Sequence, residues 1–210
     1  MKKLRLLLFR NARSRSPFEG VASLYRALHR GGQVPVFYVS SSEWNLYDLL
    51  VDFFRIRKLP DGPLLLNELK AGLMSLRRSG GGSHEHKYEK IRDLMQFYPE
   101  ARVVLLGDSG QRDPEIYQRI ADEFAGRVDA IYIREIGKQE KVRIIREKFT
   151  SENRKTAMMF VPNTLKAARD AAGRGLIAEE ALEDIAAEMK KEKELPRNPV
   201  HSGEQTSGSV

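Results

Sequence analysis

Arg102-Val103-Val104-Leu105-Leu106-Gly107-Asp108-Ser109-Gly110-Gln111-Arg112-Asp113-Pro114 is the stretch that decides the fold. Val103 to Leu106 is an unbroken apolar run, the pattern of a strand covered on both faces, where polar alternation is lost. Glycines then interrupt the run, and Asp113-Pro114 opens a helix, because proline suits a first turn whose amide has no partner. Ile116, Ile120 and Phe124 carry that helix forward at helical spacing. Strand, polar loop and helix in this order form one half of a β-α-β unit.

The same alternation extends in both directions. Upstream, Val21, Leu24, Tyr25 and Leu28 stand at i, i+3, i+4, i+7, a helical stripe that stops at Gly31-Gly32. Val34 to Val39 reads as a short buried strand, and Leu46, Leu49, Leu50 and Phe53 restore the helical period. Pro60, Gly62 and Pro63 break it before a second strand, Leu64 to Leu66. Ile91, Leu94, Met95 and Tyr98 line the helix ahead of the opening stretch. Downstream follow a strand at Ala130 to Ile133, a charged helix near Lys138 to Phe149, a strand at Met158 to Val161 and a helix from Thr164 to Ala172. Strands separated by helix-length connections imply an α/β fold: a Rossmann-like parallel sheet with helices on both faces.

The ends differ from this middle. Residues 1–18 form a basic N-terminal segment, residues 19–177 the α/β domain, residues 178–190 a surface helix and residues 191–210 a polar tail read as disordered. Ser79-Gly80-Gly81-Gly82-Ser83 reads as a flexible loop.

The 210 residues carry a net charge of +7. Residues 1–30 account for all of it, with eight basic residues against Glu19 alone, which leaves 28 basic and 28 acidic residues elsewhere. A neutral folded domain makes nucleic acid an unlikely partner. The apolar run Leu6 to Phe9 is far shorter than the roughly 7–15 residues of a secretory signal core, and no run approaches the about 20 residues of a membrane span. The expected location is the cytoplasm. Residues 2 to 15 either pack on the domain or make peripheral contact with an anionic membrane. The absence of cysteine excludes disulfide scaffolds, zinc-thiolate sites and thiol catalysis.

Ligands of open parallel sheets bind outside the carboxyl ends of the strands. Two strand ends carry chemistry here. After Val39 come Ser40, Ser41 and Ser42, with Ser40 the natural phosphate-oxygen ligand, Ser41 a further donor and Ser42 better read as a helix cap. After Leu106 come Asp108 and, five residues on, Asp113, two carboxylates suited to a hard cation such as Mg²⁺. Taken alone, Asp113 before Pro114 is equally an N-cap. Lys87, at the start of the preceding helix, reaches the same rim, with Lys90 as the competing choice. His84 and His86 follow the glycine run and read as solvated loop residues; no catalytic triad, P-loop or Gly-x-Gly-x-x-Gly occurs.

Phe18-Glu19-Gly20-Val21, Tyr38-Val39-Ser40-Ser41-Ser42-Glu43-Trp44-Asn45-Leu46-Tyr47, Pro60-Asp61-Gly62-Pro63, His86-Lys87, Gly107-Asp108-Ser109-Gly110-Gln111 running to Asp113-Pro114-Glu115-Ile116-Tyr117, and Ile131-Tyr132-Ile133-Arg134 together resemble one family. It is the catalytic domain of the actin-patch-type phosphatidate phosphatases, a branch of the haloacid dehalogenase superfamily. The resemblance covers roughly residues 3 to 175. It implies a haloacid-dehalogenase-like sheet and Mg²⁺-dependent hydrolysis of a phosphomonoester, with phosphatidate giving diacylglycerol. By matching motifs, Ser40 is the hydroxyl on the phosphoryl group, Lys87 the motif lysine, Asp108 the Mg²⁺ ligand and Asp113 its support. Glu43 departs from the proline usual before the tryptophan.

The larger departure is that no Asp-x-Asp occurs anywhere in the 210 residues. In the superfamily that motif ends a central strand lying between those of Val39 and Leu106, and its first aspartate attacks phosphorus. The expectation is therefore an N-terminally incomplete phosphatase-like chain without turnover of its own. The alternative is a non-catalytic module that binds phosphate or anionic lipid at the remaining rim.

Overall fold

Pairing between strands is parallel throughout the computed structural model, which describes residues 19–67, 82–149 and 158–194. Helix α1 (Val21–His29) closes where Arg30 and Gly31 turn left-handed, with φ of 49° and 62°. A 3-10 turn leads to β1 (Tyr38–Glu43), a second 3-10 turn at Trp44–Leu46, helix α2 (Tyr47–Ile56) and β2 (Leu64–Asn67). Next come α3 (Gly82–Phe97), β3 (Val103–Asp108), α4 (Asp113–Glu123), β4 (Val128–Arg134), α5 (Gln139–Phe149), β5 (Met158–Val161), α6 (Thr164–Gly173) and α7 (Ala181–Glu194). Strands β1 and β2 form one sheet, and β3, β4 and β5 another in that order. The fold is α/β and Rossmann-like.

Both faces of β4 are covered. Ile131 and Ile133 face a cluster with Leu105, Ile116, Tyr117, Ile120 and Phe160. Ala130 and Tyr132, alternating to the other side as a pleated strand requires, meet Leu24, Ala167, Ala168, Ala171 and Ile185. Ile131 and Ile133 are fully buried, as expected of a parallel strand between two helical layers. Helix α3 joins the two sheets: Ile91 and Met95 enter the first cluster, and Val39 of β1 packs against it.

Three boundaries differ from the sequence reading. The strand expected at Val34 to Val39 begins instead at Tyr38, because its partner starts only after the Pro60–Pro63 turn: Tyr38 pairs with Leu64, and its amide donates to the Pro63 carbonyl at 2.9 Å. Gly62 lies so close to the Val36 carbonyl that a Cβ there would sit 2.1 Å from its oxygen. The serines therefore lie inside β1 rather than beyond it. Strand β3 runs on through Gly107 and Asp108, since β4 offers ladder partners as far as Arg134. Helix α3 begins at Gly82, so Lys87 stands in its second turn rather than at its start.

The surface helix expected over residues 178–190 is α7; it runs on to Glu194, into the stretch read as a disordered tail, and it is docked on one face. Ile185 is fully buried and Met189 nearly so. Gly20, at φ +74°, lets α1 come close: a Cβ there would lie 2.5 Å from Met189 Cγ. The basic segment, the glycine run as far as Gly81 and the tail from residue 195 lie outside the described residues. Among the described residues no helix is long and apolar enough to cross a membrane.

Candidate active site

Gly107 is the reason a carboxylate can reach the end of β3. A Cβ at this position would sit 2.5 Å from Asp113 Oδ2 and 2.7 Å from Tyr117 Cε2. With only hydrogen there, the first turn of α4 folds down onto the strand and Asp113 Oδ2 accepts the Asp108 amide at 3.0 Å. Asp113 is thus no helix cap: the cap position is Arg112, with no side-chain cap bond, and the carboxylate points back into the fold.

The other oxygen of Asp113 accepts Lys87 Nζ at 2.6 Å, and both residues are buried, at 7% and 3% exposure. Burying two charges is tolerable only with this close pairing and added hydrogen bonds, which the Asp108 amide supplies. Lys87 lines the cavity beside Asp108, and Lys90 does not. Lys87 is therefore committed to a carboxylate from the next helix.

Asp108 turns its Oδ1 to the amides of Gly110 at 2.8 Å and Gln111 at 3.1 Å. Burial raises its pKa above the ordinary carboxylate value, and the Asp113 charge pushes the same way. The two amide hydrogen bonds and Lys87 oppose the rise without cancelling it. Ser109, almost fully buried, ties this loop to the one after β4. Its hydroxyl accepts the Ile136 amide at 2.8 Å and donates to the Ile136 carbonyl at 3.2 Å, while its own amide donates to the Arg134 carbonyl.

These groups surround a cavity of about 220 Å³ at the carboxyl ends of β3, β4 and β5. Lys87, Asp108, Asp113 and Arg134 supply its charge, and Leu24, Tyr25, Leu106 and Tyr117 are among its less polar walls. The phenols stay protonated: burial, reinforced by the Asp113 charge, pushes Tyr25 up to about 12 and Tyr117 well above its usual value. Tyr117 donates its hydroxyl to the Leu106 carbonyl at 2.8 Å. Val39 of β1 also lines the cavity, although β1 and β3 are not paired with each other among the described residues.

The serine strand end is arranged differently from the sequence reading. Ser40 stands one residue beyond Val39, but its Oγ accepts the Ser42 amide at 3.1 Å and is not part of the cavity wall. Ser42 caps nothing, since neither the Trp44 turn nor α2 has a side-chain cap bond. The side chain of Ser41 lies outside the described residues. His86 is helical rather than looped, its Nε2 3.2 Å from the Leu66 carbonyl. Sequence reasoning passed over Ser109, Gly107 and Arg134, whose only signal was their place in the resembling motifs.

Among the described residues no group of three or more histidines or carboxylates gathers to hold a metal. The cavity does fit a hard cation in a more limited way. Mg²⁺ commonly takes one or two carboxylates and completes its shell with waters and phosphate oxygens. Among the described residues Asp113 accepts a hydrogen bond on each oxygen and Asp108 on Oδ1, which makes Asp108 Oδ2 the most open oxygen for such an ion.

A Rossmann-like α/β domain with a buried lysine–carboxylate pair beneath a second carboxylate at the strand ends is the class that fold and site define. The catalytic domain of "Phosphatidate phosphatase APP1" matches residues 1–135, more than half of the chain, and the chain belongs to that family. Phosphatidate phosphatase APP1 of Saccharomyces cerevisiae is 32% identical over 116 residues, covering 55% of this chain and 19% of the yeast protein. An uncharacterized protein of Schizosaccharomyces pombe is 26% identical over 119 residues, covering 56% of this chain and 19% of that protein. The matched stretch thus spans about a fifth of each relative's length. No solved structure matches the chain.

Proposed function

We propose that this phosphatidate phosphatase-like domain holds the phosphoryl group of a phosphomonoester in the cavity at the ends of β3 and β4, with phosphatidate as the lipid substrate class. The observation that carries this reading is the buried Lys87–Asp113 pair seated against the Asp108 amide. Such a costly arrangement holds one carboxylate, Asp108, at the mouth of a strand-end cavity. Mg²⁺ bound through Asp108 Oδ2 would neutralise phosphoryl charge and orient the ester.

The residues of the chain divide the work. Gly110 and Gln111 fix the rotation of the Asp108 carboxylate by holding Oδ1. Lys87 holds Asp113 in place, and Asp113 anchors the Asp108 backbone. The less polar walls lower the local dielectric, so charges at the mouth act more strongly on a bound phosphate. Ser40 and Ser41 at the rim of β1 are the hydroxyls proposed for the phosphoryl oxygens. While Ser40 Oγ accepts the Ser42 amide, its O–H remains able to donate to a phosphoryl oxygen.

Hydrolysis converts ester and water to alcohol and inorganic phosphate, which needs a group to attack phosphorus and an acid for the leaving alkoxide. The family resemblance assigns both to an Asp-x-Asp that these 210 residues do not contain. The 210-residue chain by itself is therefore expected to release no phosphate from phosphatidate in the presence of Mg²⁺. Release that disappears in Asp108→Asn would show that the chain carries its own nucleophile. The second reading is a phosphate- or anionic-lipid-binding module. Binding of inorganic phosphate that is lost in Asp108→Asn, without turnover in any context, would select it.

A further inference from the structure

The cavity holds four charged side chains, and one of them has no part in the scheme above. Lys87 cannot serve as the phosphate's counter-charge at little cost. Its ammonium lies 2.6 Å from Asp113, with the two side chains 9% and 4% exposed, and turning it to a ligand would strand a buried carboxylate. Arg134 remains. It is the last residue of β4, in direct register with Asp108 across the ladder, and it lines the same cavity. Its carbonyl accepts the Ser109 amide at 2.9 Å, so its backbone moves as one with the Asp108 loop. Burial lowers the pKa of the half-buried guanidinium, the Glu19 carboxylate opposes that, and the group remains charged.

Resting on the phosphoryl-site reading, we propose that Arg134 is the cation that grips the phosphate of a phosphomonoester. A guanidinium presents two parallel N–H donors, which match two oxygens of a terminal phosphate. A diester, with one charge and only two unesterified oxygens, satisfies that fork less well than a dianionic monoester. Binding through Arg134 also spares the Lys87–Asp113 pair, which stays closed.

The test is calorimetric titration of the 210-residue chain with inorganic phosphate at a fixed excess of Mg²⁺. Arg134→Gln should weaken binding about tenfold or more, the scale of a lost charge-assisted pair. Arg134→Lys should recover only part of the loss, because an ammonium keeps the charge but not the fork. Should Arg134→Gln fold poorly, Arg134→Lys keeps the charge and should still bind phosphate several-fold more weakly than wild type. Equal phosphate affinity in wild type and both Arg134 variants overturns the inference while leaving the phosphoryl site in place. If the wild type takes up no phosphate at all, the inference and the site reading fall together.

Discussion

Asp113 shows how much a single side chain can be asked to do. It joins a lysine from α3, an amide from β3 and its own helix α4, and all three meet only because Gly107 has no side chain. Asp113→Ala should lower stability by about 3–5 kcal/mol in chemical denaturation, because a buried ammonium is left alone. Lys87→Met combined with Asp113→Leu should lose much less than either single truncation, as the charge is removed with its partner. Ser109→Ala should cost about 1–3 kcal/mol, the penalty for leaving the Ile136 amide and carbonyl unmet. Asp170 gives the acid limb of stability. Burial pushes its pKa up, but hydrogen bonds from Arg174 and from the Tyr132 hydroxyl outweigh this and hold it below the usual carboxylate range. A depressed folded pKa means the contribution is complete above the unfolded value of about 4 and is lost as pH falls through the folded value. Asp170→Asn should therefore flatten the pH dependence of melting temperature in that window. An unchanged slope would assign the acid limb to other carboxylates.

At the scale of elements, packing partners decided what local pattern could not. The periodicity of α1 is plain in Val21, Leu24, Tyr25 and Leu28, yet nothing in it says that α7 lies across its start. That contact is made by Gly20, whose amide donates to Glu192 at 2.7 Å, and by Glu188, which accepts Arg26 at 2.5 Å and the Ser23 hydroxyl. Ile185→Ala should cost about 2–5 kcal/mol, the range for truncating a fully buried aliphatic side chain. It should also raise hydrogen exchange in α7 and at the start of α1 together; protection lost in α7 alone would mean the two helices are not coupled. Strand identity was readable from β-branched and apolar runs, and β5 begins and ends where its sequence suggests. The start of β1 was not, because a strand exists only where a neighbour offers a ladder, and that neighbour begins after Pro63.

For the whole molecule, charge is the feature whose meaning changed. Arg26 and Arg30, two of the eight basic residues in the first thirty, are held within the fold, by Glu188 and by the carbonyls of Gly175 and Leu176. The surface concavity they border with Ile177 and Ala181 therefore presents arginines already engaged. Glu188 offsets the charge of Arg26, whereas the carbonyls leave that of Arg30 uncompensated. Sedimentation with phosphatidate-containing vesicles should weaken as salt rises and fall sharply on deletion of residues 1 to 15. Binding unchanged by both would assign lipid contact to another surface.

The α/β class, the strand–loop–helix around Gly107 to Asp113 and the meeting of Lys87, Asp108 and Asp113 at one strand-end cavity were legible in the amino-acid sequence, because apolar period, glycine and charge type are local properties. Which groups touch was not. Asp113 could have capped its helix, Lys87 could have faced a ligand, and Ser40 could have lined the cavity. The tertiary structure chose otherwise because a buried charge must find its opposite and a strand its ladder, and both partners come from distant points in the chain.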